Sequence, residues 1–299
     1  MGNQFLEGFL GVQFFGEYLI DRWVINREQL LDALAYQMTR NERFGAVAVR
    51  KGYLTPVQVD EINRRQRESD QTFGELAVAE GMLNDQQVGE IIRYQRNNNL
   101  YLGEALLRLG FITEEVLGRE LANFREHQKR FTGDELDLQL SYDSTAIVKT
   151  CIDLTRKMFR RVVGTVIKTG RGVVLTPEEE KGREGYAVTV SVTVNGREMV
   201  RFLLSVTRDL AVPIATSILR SDASSESEEM IADAVKEFCN FICGNTAARV
   251  AHKGIDVEIA PPEQLDRIPE PEDGYKTVAF PVRLVNGGAD LRFHVPVAQ

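Results

Sequence analysis

The sequence is poor in the residues that commit a chain to several common chemistries. Only three cysteines, Cys151, Cys239 and Cys243, occur in 299 residues. They are too few and too irregular for a disulfide framework, so a reducing, cytoplasmic setting is expected. Cys239 and Cys243 stand four apart, but a structural zinc takes four ligands, and His127, His252 and His294 show no ligand spacing to them. No metal site is expected, and the thiols read as small buried groups. Positive charge is in deficit: 36 Lys and Arg against 44 Asp and Glu leave a net charge of −8. A nucleic-acid partner would need a basic surface to displace phosphate counterions, and none is expected. Long apolar runs are missing, none approaching the roughly eighteen residues that cross a bilayer, so no membrane partner is expected either. The opening MGNQFLEGFLGVQFFGEYLI lacks a basic start with a cleavage site, and lacks the Ser or Thr of a myristoylation signal. No Ser-His-Asp or Cys-His arrangement is evident. The length and a hydrophobic content of 43% instead support two packed domains.

The first half is repetitive. The segments FFGEYLIDRWVINREQLLDALAYQ, RFGAVAVRKGYLTPVQVDEINRRQ, TFGELAVAEGMLNDQQVGEIIRYQ and YLGEALLRLGFITEEVLGRELANF align on Gly16, Gly45, Gly74 and Gly103, a period of 29 residues. Each has an aromatic residue or Leu before its glycine and a second turn at Trp23, Gly52, Gly81 or Gly110. An Asn or Thr follows, with acidic or amide residues after it, as at a helix N-terminus. Every unit therefore reads as a helix, a turn and a second helix running to Gln37, Gln66, Gln95 or Phe124. One unit has too little apolar surface to fold alone, and neighbouring units are expected to share a core.

Over roughly residues 13–124 this skeleton resembles the tandem motif of the MshE amino-terminal domain family, found on type II secretion and pilus ATPases, where paired motifs bind cyclic di-GMP. The family's ligand-contacting motif opens with Arg, which only the second repeat keeps, as Arg43; Phe14, Thr72 and Tyr101 stand in its place elsewhere. The resemblance implies a shared fold, with Arg43, Gly45 and Gln66 as nucleotide-binding candidates and cyclic di-GMP as a candidate ligand. A helical module for protein interaction or dimerisation is the competing reading.

After Phe124 the segment REHQKRFTGDELDLQL is polar and weakly periodic. The domains are accordingly drawn as 1–124 for the repeats, 125–143 for a linker and 144–299 for the rest. Ser144 is expected to cap a helix through residue 162. YAVTVSVTV and REMVRFLLSV flank Asn195–Gly196, the signature of a tight two-residue hairpin, and YKTVAFPVRLV and ADLRFHVPV flank a second turn at 286–288. Two helices lie between, LAVPIATSILR and a long one beginning near SESEEM. The class implied is α+β, with helices packed on one face of an antiparallel sheet.

On the long helix, at about 100° per residue, Ile231, Ala234, Val235, Phe238, Phe241 and Ile242 form one apolar face. Opposite runs a narrow stripe of Asp233, Glu237, Asn240 and Gly244. Gly244 is unfavourable inside a helix and suggests close approach of another backbone, or a bend. Such a stripe is by itself an ordinary solvated surface. The wider stretch EEMIADAVKEFCNFICGNTAARV, however, resembles the signature helix of the CheX family of chemotaxis phosphatases. Glu229, the Asp233–Ala234 pair, Glu237, Asn240 and Gly244 fall in the family's order, and the likeness extends over roughly residues 144–297. Lys236 departs from the family's usual Gly, and the first helix carries no Glu-x-x-Asn of its own. The resemblance implies a single-site phosphatase whose substrate is the aspartyl phosphate of a CheY-like response-regulator receiver, the receiver itself supplying Mg²⁺; a non-catalytic scaffold that only docks receivers, or a cyclic di-GMP-responsive adaptor, is the competing reading. Glu237 would anchor to the partner's Lys and Asn240 would hold the attacking water, as the two catalytic residues. Asp233, Lys236 and Gly244 would be partner contacts, and exposed antiparallel edges would allow two copies to pair, as the family's members do.

Overall fold

The computed structural model describes residues 13–66, 71–131, 138–176, 185–284 and 287–297. The chain separates into two compact units, one over Gln13–His127 and the other taking in Gln128–Gln299.

The first unit contains eight described helices in four helix–turn–helix repeats: α1 (Phe15–Asp21) and α2 (Arg27–Arg40), α3 (Phe44–Arg50) and α4 (Pro56–Gln66), α5 (Phe73–Ala79) and α6 (Asp85–Asn98), and α7 (Leu102–Arg108) and α8 (Glu114–Phe131). The second helices start where the capping chemistry places them. Asn26 accepts from the Gln29 amide at 2.8 Å and Asn84 from the Gln87 amide at 2.9 Å, while Thr55 and Thr113 accept from Gln58 and Val116 at 3.3 Å. The turns at Gly52, Gly81 and Gly110 all take positive φ, and Trp23 adopts the same conformation at φ 58. The register glycines serve close packing: a Cβ on Gly45 would lie 2.6 Å from Val59, and one on Gly16 2.4 Å from Leu30.

Core sharing differs from the expected neighbour-to-neighbour order. Repeats two and three form one core, around Val47, Ile62, Leu76 and Ile91. Repeats one and four form another, around Leu19, Ala33, Ala105 and Leu106. In the inner pair α3 packs on α6 and α4 on α5, so each repeat covers the buried face of the other. The outer repeats meet through α2 and α7. The closing glutamines tie each pair together. Gln95 donates to the Glu42 carbonyl and Gln37 to the Leu100 carbonyl, both at 2.8 Å, and Gln66 to the Gln71 carbonyl at 3.4 Å. Each of those carbonyls lies three residues before a register glycine of the partner repeat. In repeat four Phe124 replaces the amide and packs on Phe15 and Tyr18 at 5.2 and 5.1 Å. Helix α8 continues past Phe124 to Phe131, into the segment drawn as a linker, where Arg125, Glu126, Gln128 and Lys129 are good helix formers and the His127 ring packs tilted against Tyr18 at 5.6 Å. The stretch 132–137 of that segment lies outside the described residues.

The second unit is α+β. Helix α9 (Tyr142–Met158) is capped by Ser141, three residues earlier than expected, through its Oγ and the Ser144 amide at 3.1 Å. Ser144 instead donates to Glu198 at 2.6 Å. A π-helical turn, Phe159–Val163, closes the helix at Gly164. A two-stranded sheet joins β1 (Lys168–Thr169) to β8 (Val282–Arg283). A seven-stranded antiparallel sheet contains β2 (Val173–Val174), β3 (Val188–Asn195), β4 (Val200–Val206), β5 (Glu258–Ile259), β6 (Glu263–Leu265), β7 (Tyr275–Phe280) and β9 (Ala289–Pro296). Its order is β2-β7-β9-β4-β3-β5, with β6 also on β3. Helices α10 (Arg208–Leu219) and α11 (Glu228–Ala251) complete the unit.

Both hairpins form, β3 with β4 and β7 with β9. The first is not closed by a two-residue turn. Asn195 stays in the strand opposite Glu258, Val194 faces Val200, and neither Asn195 nor Gly196 takes a positive φ. Gly196 is needed for closeness instead, since a Cβ there would lie 2.9 Å from Val257. Of the second turn, Asn286 lies outside the described residues.

Val190, Val192, Phe202, Leu204, Leu291 and Phe293 form one face of the sheet and join α9, α10 and α11 in a single core. Most of the alternate residues are polar yet also buried, Thr189, Ser191, Ser205, Thr277, Asp290, Arg292 and His294, beside the apolar Leu203 and Ala279. Asp290 and Arg292 pair at 2.7 Å.

Candidate functional site

Helix α11 begins at Ser227, whose Oγ accepts from the Met230 amide at 3.2 Å, and Glu228 and Glu229 lie in the first turn where the helix dipole favours them. The helix is buried on more than its sheet-facing side. Besides Ile231, Val235, Phe238 and Ile242, the residues Ala232, Cys239, Cys243 and Thr246 are inaccessible, and the helix packs on α9, α10 and β3. The Cys151 thiol meets Thr246 Oγ1 at 3.3 Å, and Arg249 reaches Asp153 of α9 at 2.9 Å. Burial acts to raise the Asp153 carboxyl, but Lys157 and Arg249 outweigh it and hold the group below its ordinary value. All three thiols are buried, and desolvation pushes those of Cys239 and Cys243 well above the usual range, where they are inert as nucleophiles.

This packing leaves the expected narrow stripe. Asp233, Glu237 and Gly244 are exposed, and Asn240 and Lys236 are half-buried. Glu237 and Asn240, about one turn apart on a helix clamped on its other sides, make no hydrogen bond or ion pair with any described residue. Lys236 does have a partner: its Nζ lies 2.5 Å from Asp233 Oδ1. The helix runs unbroken through Gly244, and a Cβ there would touch nothing within 4 Å among the described residues, so neither a bend nor a close backbone among them accounts for the glycine. Sequence reasoning passed over Met230, which is 44% exposed and stands seven residues before Glu237. Two helical turns place it on the same side, and that spacing was the available signal. The arrangement offers one carboxylate, one carboxamide with donor and acceptor atoms, and an apolar edge, all on a rigid support.

In the repeats, Arg43 is exposed at the N-cap of α3 with no ion pair among the described residues. Gly45 is closed over by Val59. The Gln66 amide is committed to the Gln71 carbonyl. Among the described residues no group of three or more His, Cys, Asp or Glu side chains is placed to hold a metal ion, and no helix is long and apolar enough to cross a membrane.

A family model described as chemotaxis phosphatase CheX matches residues 188–271, a span that includes all of α11. By that match the second unit is CheX-like over its central span. A search of curated proteins found no match. Among solved structures, a chemotaxis protein CheX from Desulfovibrio desulfuricans is 19% identical, covering 50% of this chain and 98% of its own, with a TM-score of 0.41. A chain of a CheX–CheY–BeF3–Mg complex from Borrelia burgdorferi is 19% identical over 51% of this chain and 98% of its own, with a TM-score of 0.40. Thermotoga maritima FliY is 19% identical over 54% and 92%, with a TM-score of 0.39.

Proposed function

We propose that the second unit accelerates hydrolysis of the aspartyl phosphate on a response-regulator receiver domain, using Glu237 and Asn240. One observation carries this reading. Inside the span matched by the CheX model, these two polar side chains are unpartnered among the described residues and outward-facing on a helix otherwise fixed by its surroundings. Hydrolysis of a phosphoryl group is limited chiefly by alignment of the water and by stabilisation of charge. A carboxamide is suited to aligning the water, because the Asn240 oxygen accepts a hydrogen bond from it and fixes its approach without ionising. Glu237 supplies a fixed negative charge for a cation on the partner and sets the register of docking. Met230 and the open surface at Gly244 give that partner an apolar edge and room to approach. Mg²⁺ would arrive with the receiver and belongs to its chemistry.

For the repeats we propose an interaction module. Of the three residues that a cyclic dinucleotide would be expected to meet, Arg43 stands open, Gly45 is closed over by Val59, and the partly exposed Gln66 donates to the Gln71 carbonyl at 3.4 Å. Titrating the whole protein with cyclic di-GMP checks this, and heat at tens of micromolar would restore the sensor reading.

The activity is tested by following decay of phosphorylated receivers from the host. Asn240→Ala is expected to lower turnover at saturation by about 100-fold, and Glu237→Ala to act mainly on KM, by about 10-fold. If the wild type is no faster than buffer with every receiver, the phosphatase reading is wrong.

A further inference from the structure

We infer that Asp233 is a positioning residue of the same site: its carboxylate holds the Lys236 ammonium away from the Asn240 carboxamide. The inference rests on the phosphatase reading for its consequence, though not for its geometry. Lys236 stands three residues after Asp233 and four before Asn240, so both lie within reach of its side chain along one strip of the helix. It is bound to the first, at 2.5 Å. The second is left without a partner among the described residues. An ammonium carries three donors and no acceptor. Released from Asp233, it finds its next acceptor on the helix in Asn240 Oδ1, the atom that must accept from the attacking water. Lys236 is only 31% exposed on its side chain, so its stem lies against the protein and does not extend freely into solvent. By contrast, the carboxamide nitrogen of Asn245, five residues on, donates to the Phe241 carbonyl at 2.8 Å. Glu237 projects about 100° around the helix from Lys236, as adjacent residues do, and is a poorer partner for it than either Asp233 or Asn240.

The test compares Asp233→Ala, Asp233→Glu and the double variant Asp233→Ala/Lys236→Ala by two readouts. In receiver dephosphorylation, Asp233→Ala is expected to lower turnover at saturation about five-fold with a smaller change in KM. Asp233→Glu should recover most of the turnover that Asp233→Ala loses, and removing Lys236 as well should make the double variant turn over faster than Asp233→Ala. A double variant as slow as Asp233→Ala would show that Asp233 acts directly and overturn the inference, as would an unchanged rate in Asp233→Ala. The second readout needs no receiver. The side-chain amide resonances of Asn240 should move in Asp233→Ala and return in the double variant; if they stay in place, the inference fails whatever the receiver does. Wild-type protein that does not exceed buffer, with the resonances moving as stated, would instead sink the phosphatase reading and leave the Lys236 geometry standing.

Discussion

His294 shows what tertiary placement does to a single residue. It sits on β9 opposite Arg201 and Thr277, 3% exposed, on the polar face of the sheet. Desolvation, helped by the Arg201 and Arg292 charges, lowers its pKa from 6.5 to about 4, so the folded protein holds it neutral. The unfolded chain binds that proton more readily. The stability from this group is therefore fully present above pH 6.5 and drains away as pH falls toward 4, by about 3 kcal/mol at most. Urea unfolding of wild type and His294→Gln at pH 8 and pH 5 measures it: the wild type should lose markedly more between the two. An equal loss in both would assign the acid sensitivity elsewhere. At this scale the sequence showed Glu237 and Asn240 on one stripe, because helical periodicity is local. It did not show that Lys236 turns to Asp233, since the stripe offers two acceptors and only the folded side chains choose between them.

At the scale of the element, glycines in similar local settings have opposite functions. Gly45 in α3 leaves room for Val59, and Gly45→Ala should force the α3–α4 contact apart at a cost of about 1–3 kcal/mol. Gly244 in α11 meets nothing, so Gly244→Ala should raise helix stability by up to about 1 kcal/mol while crowding any docked partner. Thermal unfolding followed by circular dichroism separates the two; destabilisation by Gly244→Ala would mean that its conformation is special after all. The helices themselves were legible because caps, turns and apolar spacing act within a few residues. The β3–β4 loop was misread for a complementary reason. Asn-Gly favours a tight turn locally, but pairing of Asn195 with β5 holds the residue in the strand.

For the whole molecule, the three thiols all belong to the core of the second unit, so their reactivity reports on that unit's opening. Labelling with a thiol reagent in native buffer should be slow and should speed up with urea in step with loss of that core. Rapid native labelling of even one thiol would contradict the packing of α9 against α11.

The sequence by itself determined the 29-residue period, the starts of the second helix of each repeat, the α+β class of the second half and the placing of Glu237 and Asn240 on one outward stripe. Each follows from interactions within a turn or two of chain, or from the alternation of apolar residues. Only the tertiary structure decided that repeat one shares its core with repeat four, that the closing glutamines hold partner backbones, that the second face of the sheet is buried with its polar groups, and that Lys236 is kept from Asn240. Those outcomes depend on contacts between residues far apart in the chain, or on a choice among equivalent partners, and neither is written in local pattern.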